Sequence, residues 1–431
     1  MRVGRADNLA GLDAIRGVSA LYVALHHILL FGFSDDLAVH LQNGRLAWFF
    51  THGPIMVDLF FILSGVVIAE VYGGRLKQKA EVGRYFMARI ARLLPLHWAM
   101  LFALLMIVVF VDRGFRVDSR FVTDGNAGFV SASVCRFSPK AFALGLADLQ
   151  GFLSCATWNY PSWSITFEVI CYALFPFLYI KLLGVGRTGA FIALGLFVAA
   201  AALTSFGKSE GFLFKGAPDF VVPLLRALTG FGVGVCLFRL RALGEIRKSR
   251  AWNIVFVAVV LGFVAAMAAW RVPTAALILF LPLIVMSCLG ATGWIINGLE
   301  TPPLRLLGNL SYTIYLSHAV WELAAARIVS AVVPGGGLMS HSRVEDLLVI
   351  SGASLFLVAA SYPIWRFFEM PARSMIRSAY AAMTASDTQG SAFSRRRRRS
   401  VYAGRQAHLQ AAARWSDREP RERGRDRHHH L

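Results

Sequence analysis

Two ionisable residues of the apolar segment 12–31, Arg16 and His27, are spaced so that they can act together. Eleven residues of α-helix make three turns plus about 20°, so both side chains share one face, roughly 16 Å apart along the axis. His26 points about 100° away from that face. Imidazole can accept the proton of an attacking hydroxyl or carry an acyl group as a nucleophile. The spacing therefore predicts a helix with a cation near one end and a catalytic imidazole near the other.

A second pair of cations, Arg89 and Arg92, precedes the third apolar segment in the stretch RYFMARIARLLPLHW. Positions i and i+3 lie on one face of a helix. Guanidinium groups match phosphate oxygens with two parallel hydrogen bonds, which predicts a receptor for phosphates. The alternative is ordinary anchoring of the chain by positive residues on the cytoplasmic side.

Carboxylates and an aromatic residue in two further apolar segments suit a sugar. Glu168 lies about one turn inside the segment SWSITFEVICYALF, with Trp163 and Ser164 at its mouth. Asp58 lies near the outer end of VDLFFILSGVVIA. Ionisable groups within a membrane span are costly and mark candidate sites. We expect Glu168 to orient either His27 or the acceptor, and the other three residues to contact substrate.

The same residues also have structural interpretations. His27 can be a hydrogen-bonded histidine of the helix core, and Asp13 lies one turn before Arg16, where it can form an ion pair. Tyr312 and Tyr315 of the segment LSYTIYLSH are interpreted as packing residues rather than donor contacts. Both kinds of role stay open from the sequence alone.

The elements that carry these residues must be membrane spans. The chain has 431 residues, of which 56% are hydrophobic and 16% are charged, and its mean hydropathy is +0.56. A soluble domain of average composition is about 25% charged. This composition therefore argues against a soluble enzyme and against a disordered protein.

Ten apolar segments have lengths close to those that cross about 30 Å of hydrocarbon. They cover residues 12–31, 48–71, 93–111, 164–183, 189–206, 220–238, 251–270, 273–296, 310–333 and 346–368. Irregular backbone would leave polar groups unsatisfied in lipid, so we predict an all-α integral membrane protein with about ten transmembrane helices. Lysine and arginine concentrate in alternate short loops, which predicts cytoplasmic termini and an external loop at 112–160. The expected location is the cytoplasmic (inner) membrane, and no signal peptide is expected.

The net charge of +19 fits this orientation and an arginine-rich tail, so no nucleic-acid partner is expected. Residues 378–431 have no apolar periodicity and are predicted to be a disordered cytoplasmic tail. Five cysteines are too few for a disulfide framework, although Cys135 and Cys155 can pair if their loop faces an oxidising side. The three histidines 428–430 are too isolated to indicate a metal site, and no metal is predicted.

Taken together, the motifs resemble those of the acyltransferase 3 family of multi-pass membrane acyltransferases. The sequences LDAIRG with His27, VDLFFILSG, RYFMARIARLLPLHW, SWSITFE, LSYTIYLSH and EMPAR occur in the order found in that family. The resemblance covers about residues 8–374 and implies a ten-helix domain. It also implies that the residues matching the required family positions, namely Arg16, His27, Arg89 and Arg92, are required here.

The resemblance further implies transfer of an acyl group, usually acetyl from acetyl-CoA, to a carbohydrate. We expect acyl-CoA to bind at the cytoplasmic face as a donor substrate, with no permanently bound cofactor. A fused SGNH esterase-like domain, carried by many relatives, is not expected in 378–431. The alternatives are a succinyl donor, a lipid or antibiotic acceptor, or a polytopic transporter or flippase that uses its intramembrane ionisable groups.

Overall fold

The computed structural model describes residues 9–29, 49–76, 79–110, 137–153, 158–210, 217–269, 272–332 and 343–384, and the regular elements of these parts are all helical. The α-helices are α1 (Leu9–His27), α2 (Ile55–Tyr72), α3 (Lys79–Phe110), α4 (Pro139–Leu146), α5 (Trp163–Leu174), α6 (Arg187–Glu210), α7 (Val221–Ala242), α8 (Ala251–Ala268), α9 (Thr274–Ile278), α10 (Phe280–Gly290), α11 (Trp294–Leu299), α12 (Pro302–Val332) and α13 (Arg343–Pro363). By spatial contacts the chain divides after Ser374, and each helix numbered here belongs to the first unit. Each of the ten predicted apolar segments contains helix in the described residues.

Six helices are long and apolar enough to cross a membrane among the residues that the structure describes. They are Ile55–Tyr72, Glu81–Phe110, Arg187–Phe206, Val221–Ala242, Ala251–Ala268 and Leu347–Thr384. This supports an integral membrane protein, whereas ten crossings and the orientation of the termini stay predictions. Helices α1 and α12 are not among the six, because their polar residues lower the mean hydropathy of their sequences.

Two of the predicted spans are interrupted rather than continuous. The segment 164–183 is helical in α5, turns after Phe175 and continues as a 3₁₀-helix at Tyr179–Gly184. Pro176 follows the end of α5, and proline supplies no backbone N–H to continue a helix. The segment 273–296 contains α9, α10 and the beginning of α11. Apolar composition alone does not report these breaks.

Helices α1 and α12 pack closely along parallel directions. A Cβ atom on Gly17 would lie 2.5 Å from the backbone nitrogen of Gly308, so only glycine permits this approach. Small residues serve this purpose in membrane helices because backbones gain van der Waals contact when they come close. The crossing places the polar faces of α1 and α12 against each other.

Helices α2 and α7 form a second close crossing. A Cβ atom on Gly65 would overlap the carbonyl oxygen of Phe231, and one on Gly234 would overlap the carbonyl oxygen of Ile62. The backbones of α2 and α7 therefore approach each other closely at Gly65 and Gly234.

The predictions for the cysteines and for the C-terminal tail can be compared with the structure only where their residues are described. Cys171, Cys236 and Cys288 are free and buried, as expected for small apolar residues. Helical residues continue to Thr384, so the tail boundary predicted at 378 lies within a helix. Cys135, Cys155, the histidines 428–430 and the rest of the tail lie outside the described residues.

Candidate active site

A cavity lined by both polar and apolar side chains lies among helices α1, α2, α3, α5 and α12. Its empty volume, including the open mouth, is about 540 Å³. Its charged and hydroxyl-bearing lining includes Arg16, Arg92, Glu168, Ser64, Ser164 and Tyr315. Four residues predicted from three separate motifs, namely Arg16, Arg92, Glu168 and Ser164, are therefore brought to one space.

Arg16 is held at the cavity wall by both of the helices that cross there. Its guanidinium lies 2.7 Å from the Asp13 carboxylate, which is the ion pair that their spacing predicts. Its Nε donates a hydrogen bond of 3.0 Å to the hydroxyl of Ser311 on α12. The Arg16 side chain remains 21% exposed, so it can also meet a ligand in the cavity.

Arg89 and Arg92 occupy different surroundings although they are one turn apart on α3. Arg89 donates a hydrogen bond of 3.2 Å to the hydroxyl of Tyr72. Its guanidinium lies 5.3 Å and 5.6 Å from the ring centroids of Tyr72 and Tyr172, within cation–π range. Arg92 faces the cavity and makes no hydrogen bond or ion pair with another described residue. The structure thus brings Arg92 together with Arg16 at the cavity, and Arg89 with two tyrosines.

Glu168 is oriented by two hydroxyl groups. Its Oε1 accepts a hydrogen bond of 2.7 Å from Ser64 and another from Tyr172, one turn later on α5. Tyr172 also contacts Arg89, so that arginine supports the carboxylate indirectly. Two roles were predicted for Glu168, orienting His27 or orienting the acceptor, and its position in the cavity wall suits the second.

His27 belongs to a second polar cluster. Its Nδ1 lies 3.0 Å from Nε2 of His318 on α12, and the two rings are nearly parallel with centroids 5.0 Å apart. The ring of Tyr160 meets His27 edge-on at 4.8 Å, and its hydroxyl donates a hydrogen bond of 2.5 Å to Glu322. Tyr315, which lines the cavity, lies with its ring centroid 6.1 Å from that of His318. These four residues, His27, His318, Tyr160 and Glu322, form a histidine cluster that adjoins the cavity.

A row of polar residues on α12 runs from the cavity to the histidine cluster. Its members are Ser311, Tyr315, His318 and Glu322. Spacings of four, three and four residues place them on one helix face. This spacing is readable from the sequence and could have identified Ser311 and Glu322 as members of the same face.

Asp58 is paired with an arginine that the sequence analysis missed. Arg226 of α7 donates two hydrogen bonds to the Asp58 carboxylate, 2.8 Å from Nε and 2.7 Å from the terminal nitrogen. The same guanidinium lies 5.9 Å from the ring centroid of Trp163. Both partners also line a smaller cavity of about 280 Å³ between α2 and α7. No spacing in the sequence could reveal a partner 168 positions away.

Comparisons with known proteins identify the family of this chain. No solved structure matches the chain. A curated protein of Rhizobium radiobacter, described as "Protein 2 in picA locus", is 30% identical over 170 residues, which are 38% of this chain and 78% of that protein. The family model described as an acyltransferase domain matches residues 9–371, from the beginning of α1 past the end of α13. The chain therefore belongs to the acyltransferase 3 family of membrane acyltransferases.

Proposed function

We propose that this protein transfers an acyl group, in the simplest case acetyl, from cytoplasmic acyl-CoA to a hydroxyl of a cell-surface or exported carbohydrate. Family membership establishes an acyltransferase domain in a membrane protein. The observation that carries the proposal is the single cavity that joins Arg16, Arg92 and Glu168 and adjoins the histidine cluster.

The charge at the cavity supports an anionic donor. Arg92 faces this space without an ion-pair partner among the described residues, and Arg16 lines the same cavity. A cation withdrawn from water is costly unless an anion pairs with it. The phosphates of coenzyme A would supply that anion, and guanidinium groups match phosphate oxygens well. Arg89 then acts indirectly, through the tyrosines that it contacts.

The distance from the donor region to His27 supports thioester delivery. Arg16 and His27 lie on one face of α1, roughly 16 Å apart along the axis, of the order that an extended pantetheine arm spans. At His27 the imidazole would accept the proton of the acceptor hydroxyl or carry the acyl group itself. In either route the acyl group moves from sulfur to the acceptor oxygen, and the hydroxyl proton ends on the coenzyme A thiolate.

The other lining groups support a polyhydroxylated acceptor. Glu168 and Ser164 lie in the cavity wall, and their oxygen atoms can hydrogen-bond sugar hydroxyls. Trp163 is outside the lining of this cavity and lies beside the Asp58–Arg226 pair, where its ring offers an apolar face to a sugar. With the predicted orientation, the beginning of α5, which carries Trp163 and Ser164, lies toward the outer side of the cytoplasmic membrane.

The decisive experiment is acyl transfer by the purified protein in lipid nanodiscs. We expect release of coenzyme A thiol from labelled acetyl-CoA, and label in a surface-carbohydrate fraction added as acceptor. Parallel reactions with succinyl-CoA, and with lipid or antibiotic acceptors, distinguish the alternative substrates. Neither binding nor turnover of any acyl-CoA would contradict the proposed donor.

A further inference from the structure

The hydrogen bonds of His318 determine where that ring carries its proton. A neutral imidazole has one N–H donor and one acceptor nitrogen, and the surrounding partners decide which is which. Nδ1 of His318 lies 3.3 Å from the carbonyl oxygen of Ile314, one turn earlier on α12. A carbonyl oxygen only accepts, so Nδ1 of His318 carries the proton. Its Nε2 is then an acceptor.

This assignment fixes the neighbouring ring as well. Nε2 of His318 lies 3.0 Å from Nδ1 of His27, so an acceptor at the first nitrogen requires a donor at the second. This contact places the proton of His27 on Nδ1, so Nε2 is the unprotonated nitrogen of that ring.

We infer that His318 is the positioning residue of this site: it holds the proton of His27 on Nδ1, so that Nε2 of His27 is the nitrogen that acts in acyl transfer. The role of Nε2 in acyl transfer rests on the proposed function, whereas the assignment of donor and acceptor nitrogens in the two rings does not. In direct transfer, Nε2 takes the acceptor's hydroxyl proton as the O–C bond forms, the C–S bond breaks, and the proton passes to the coenzyme A thiolate. In the covalent route, Nε2 attacks the thioester carbon and the C–S bond breaks, which releases the coenzyme A thiolate; the acceptor hydroxyl oxygen then bonds to the acyl carbon as the C–N bond breaks. The hydroxyl proton again ends on the thiolate.

Tyr160 supports this arrangement by restricting rotation of both rings. Its ring meets His27 and His318 edge-on, with centroids 4.8 Å and 5.8 Å away. Its hydroxyl is bound to Glu322, which lies one turn after His318 on the same helix. A flip of either imidazole would exchange a nitrogen for a carbon at the 3.0 Å contact and would have to displace this ring.

Which ring nitrogen of His27 carries the proton can be measured without substrate. Protein labelled with ¹⁵N-histidine in bilayers gives separate NMR signals for protonated and unprotonated ring nitrogens, and the His27 signals are those lost in His27→Asn. We expect Nδ1 of His27 to be protonated and Nε2 to be unprotonated. The variant His318→Leu should populate the opposite form, because it removes the acceptor. In His318→Gln a side-chain oxygen can accept the same proton, so the original form should persist.

Kinetics should follow the tautomer. General-base catalysis contributes about 10²–10⁴-fold in rate, so His318→Leu should lower kcat by about tenfold or more while KM for acyl-CoA stays within about twofold. His318→Gln should recover a large part of kcat. The matched control is His97→Leu, which removes another buried histidine bonded to a carbonyl, that of Gly145 at 2.8 Å. We expect His97→Leu to have the same kcat per folded molecule, and the same His27 NMR signals, as the unsubstituted protein.

Two outcomes would overturn the inference. One is an NMR spectrum of the unsubstituted protein in which Nε2 of His27 carries the proton. The other is a His318→Leu variant whose His27 tautomer and kcat are both unchanged. Loss of the proposed acyl transfer in every preparation, with the expected tautomer observed, would contradict the proposed function and leave the role of His318 in holding the proton intact.

Discussion

His26 and His27 are adjacent in sequence, and their ring centroids lie 4.8 Å apart, yet they hydrogen-bond to different elements. Nδ1 of His26 lies 2.6 Å from the carbonyl oxygen of Phe50, and a Cβ atom on Gly53 would overlap its ring. His27 instead faces His318 of α12. The first imidazole is fitted to the residues that precede α2, and the second is directed toward the candidate active site.

The first prediction follows from this difference. His27→Ala should lower acyl transfer by about 10²–10⁴-fold, because it removes the base or acyl carrier. His26→Ala should retain most of its activity and lose stability instead, since it leaves a void at Gly53. Coenzyme A release and thermal unfolding of both variants, at matched protein amounts, make the comparison. An active His27→Ala protein would remove this residue from the mechanism.

The second prediction separates the two arginines of α3. Arg92→Ala should weaken coenzyme A binding by roughly tenfold to a hundredfold, because a hydrogen bond to a charged group contributes about 1.5–3 kcal/mol. Arg89→Ala should mainly lower thermal stability, since its guanidinium packs against Tyr72 and Tyr172. Arg84→Ala, an exposed position on the same helix, is the control and should change neither property. Equal loss of affinity at 89 and 92 would instead favour a phosphate receptor built from both.

The third prediction concerns the buried ion pair of Asp58 and Arg226, whose side chains are only 7% and 11% exposed. Asp58→Asn should destabilise the protein by about 3–5 kcal/mol, because it leaves a buried cation without its counterion. Replacing both residues by methionine should cost less than either single change, as expected for coupled neighbours. Thermal unfolding in detergent provides the measurement. A raised KM for the acceptor with unchanged stability would show that Asp58 binds substrate.

The fourth prediction tests the crossing of α2 and α7. Gly65→Ala should destabilise the protein by about 1–3 kcal/mol, the usual cost of overpacking, because its Cβ would meet the backbone of Phe231. Gly195→Ala on α6 has nothing within 4 Å and should be neutral or stabilise its helix by up to about 1 kcal/mol. Unfolding temperatures that fall equally in both variants would rule out the close crossing as the cause.

The fifth prediction is a pH dependence of stability at Asp148, which lies between α4 and α5. Burial raises the pKa of this carboxyl to about 7, although hydrogen bonds from Gln150 and Thr166 oppose the shift. An acid whose pKa is raised on folding stabilises the fold below its unfolded pKa, near 4, and this stability is lost as pH rises toward 7. The loss should not exceed about 4 kcal/mol. Asp148→Asn should flatten the unfolding temperature between pH 4 and 7, and an unchanged slope would contradict the assignment.

Much of the local arrangement follows from the sequence by itself. Apolar length identifies the helical segments, because a helix is the simplest element that satisfies its own backbone in lipid. The 3.6-residue period places Arg16 and His27 on one face and Asp13 within reach of Arg16. The order of the motifs identifies the family, which the match over residues 9–371 confirms.

Only the tertiary structure decides which faces meet. Arg89 and Arg92 share a helix face in sequence terms, yet the rotation and position of α3 direct Arg92 into the cavity and Arg89 between two tyrosines. The partners Arg226 and His318 come from helices far along the chain, where no local period relates them to Asp58 and His27. Their registers depend on close glycine crossings between distant helices, and packing of this kind is a property of pairs of surfaces. A sequence period describes one helix at a time, so it determines the face of each residue and leaves its partner to the fold.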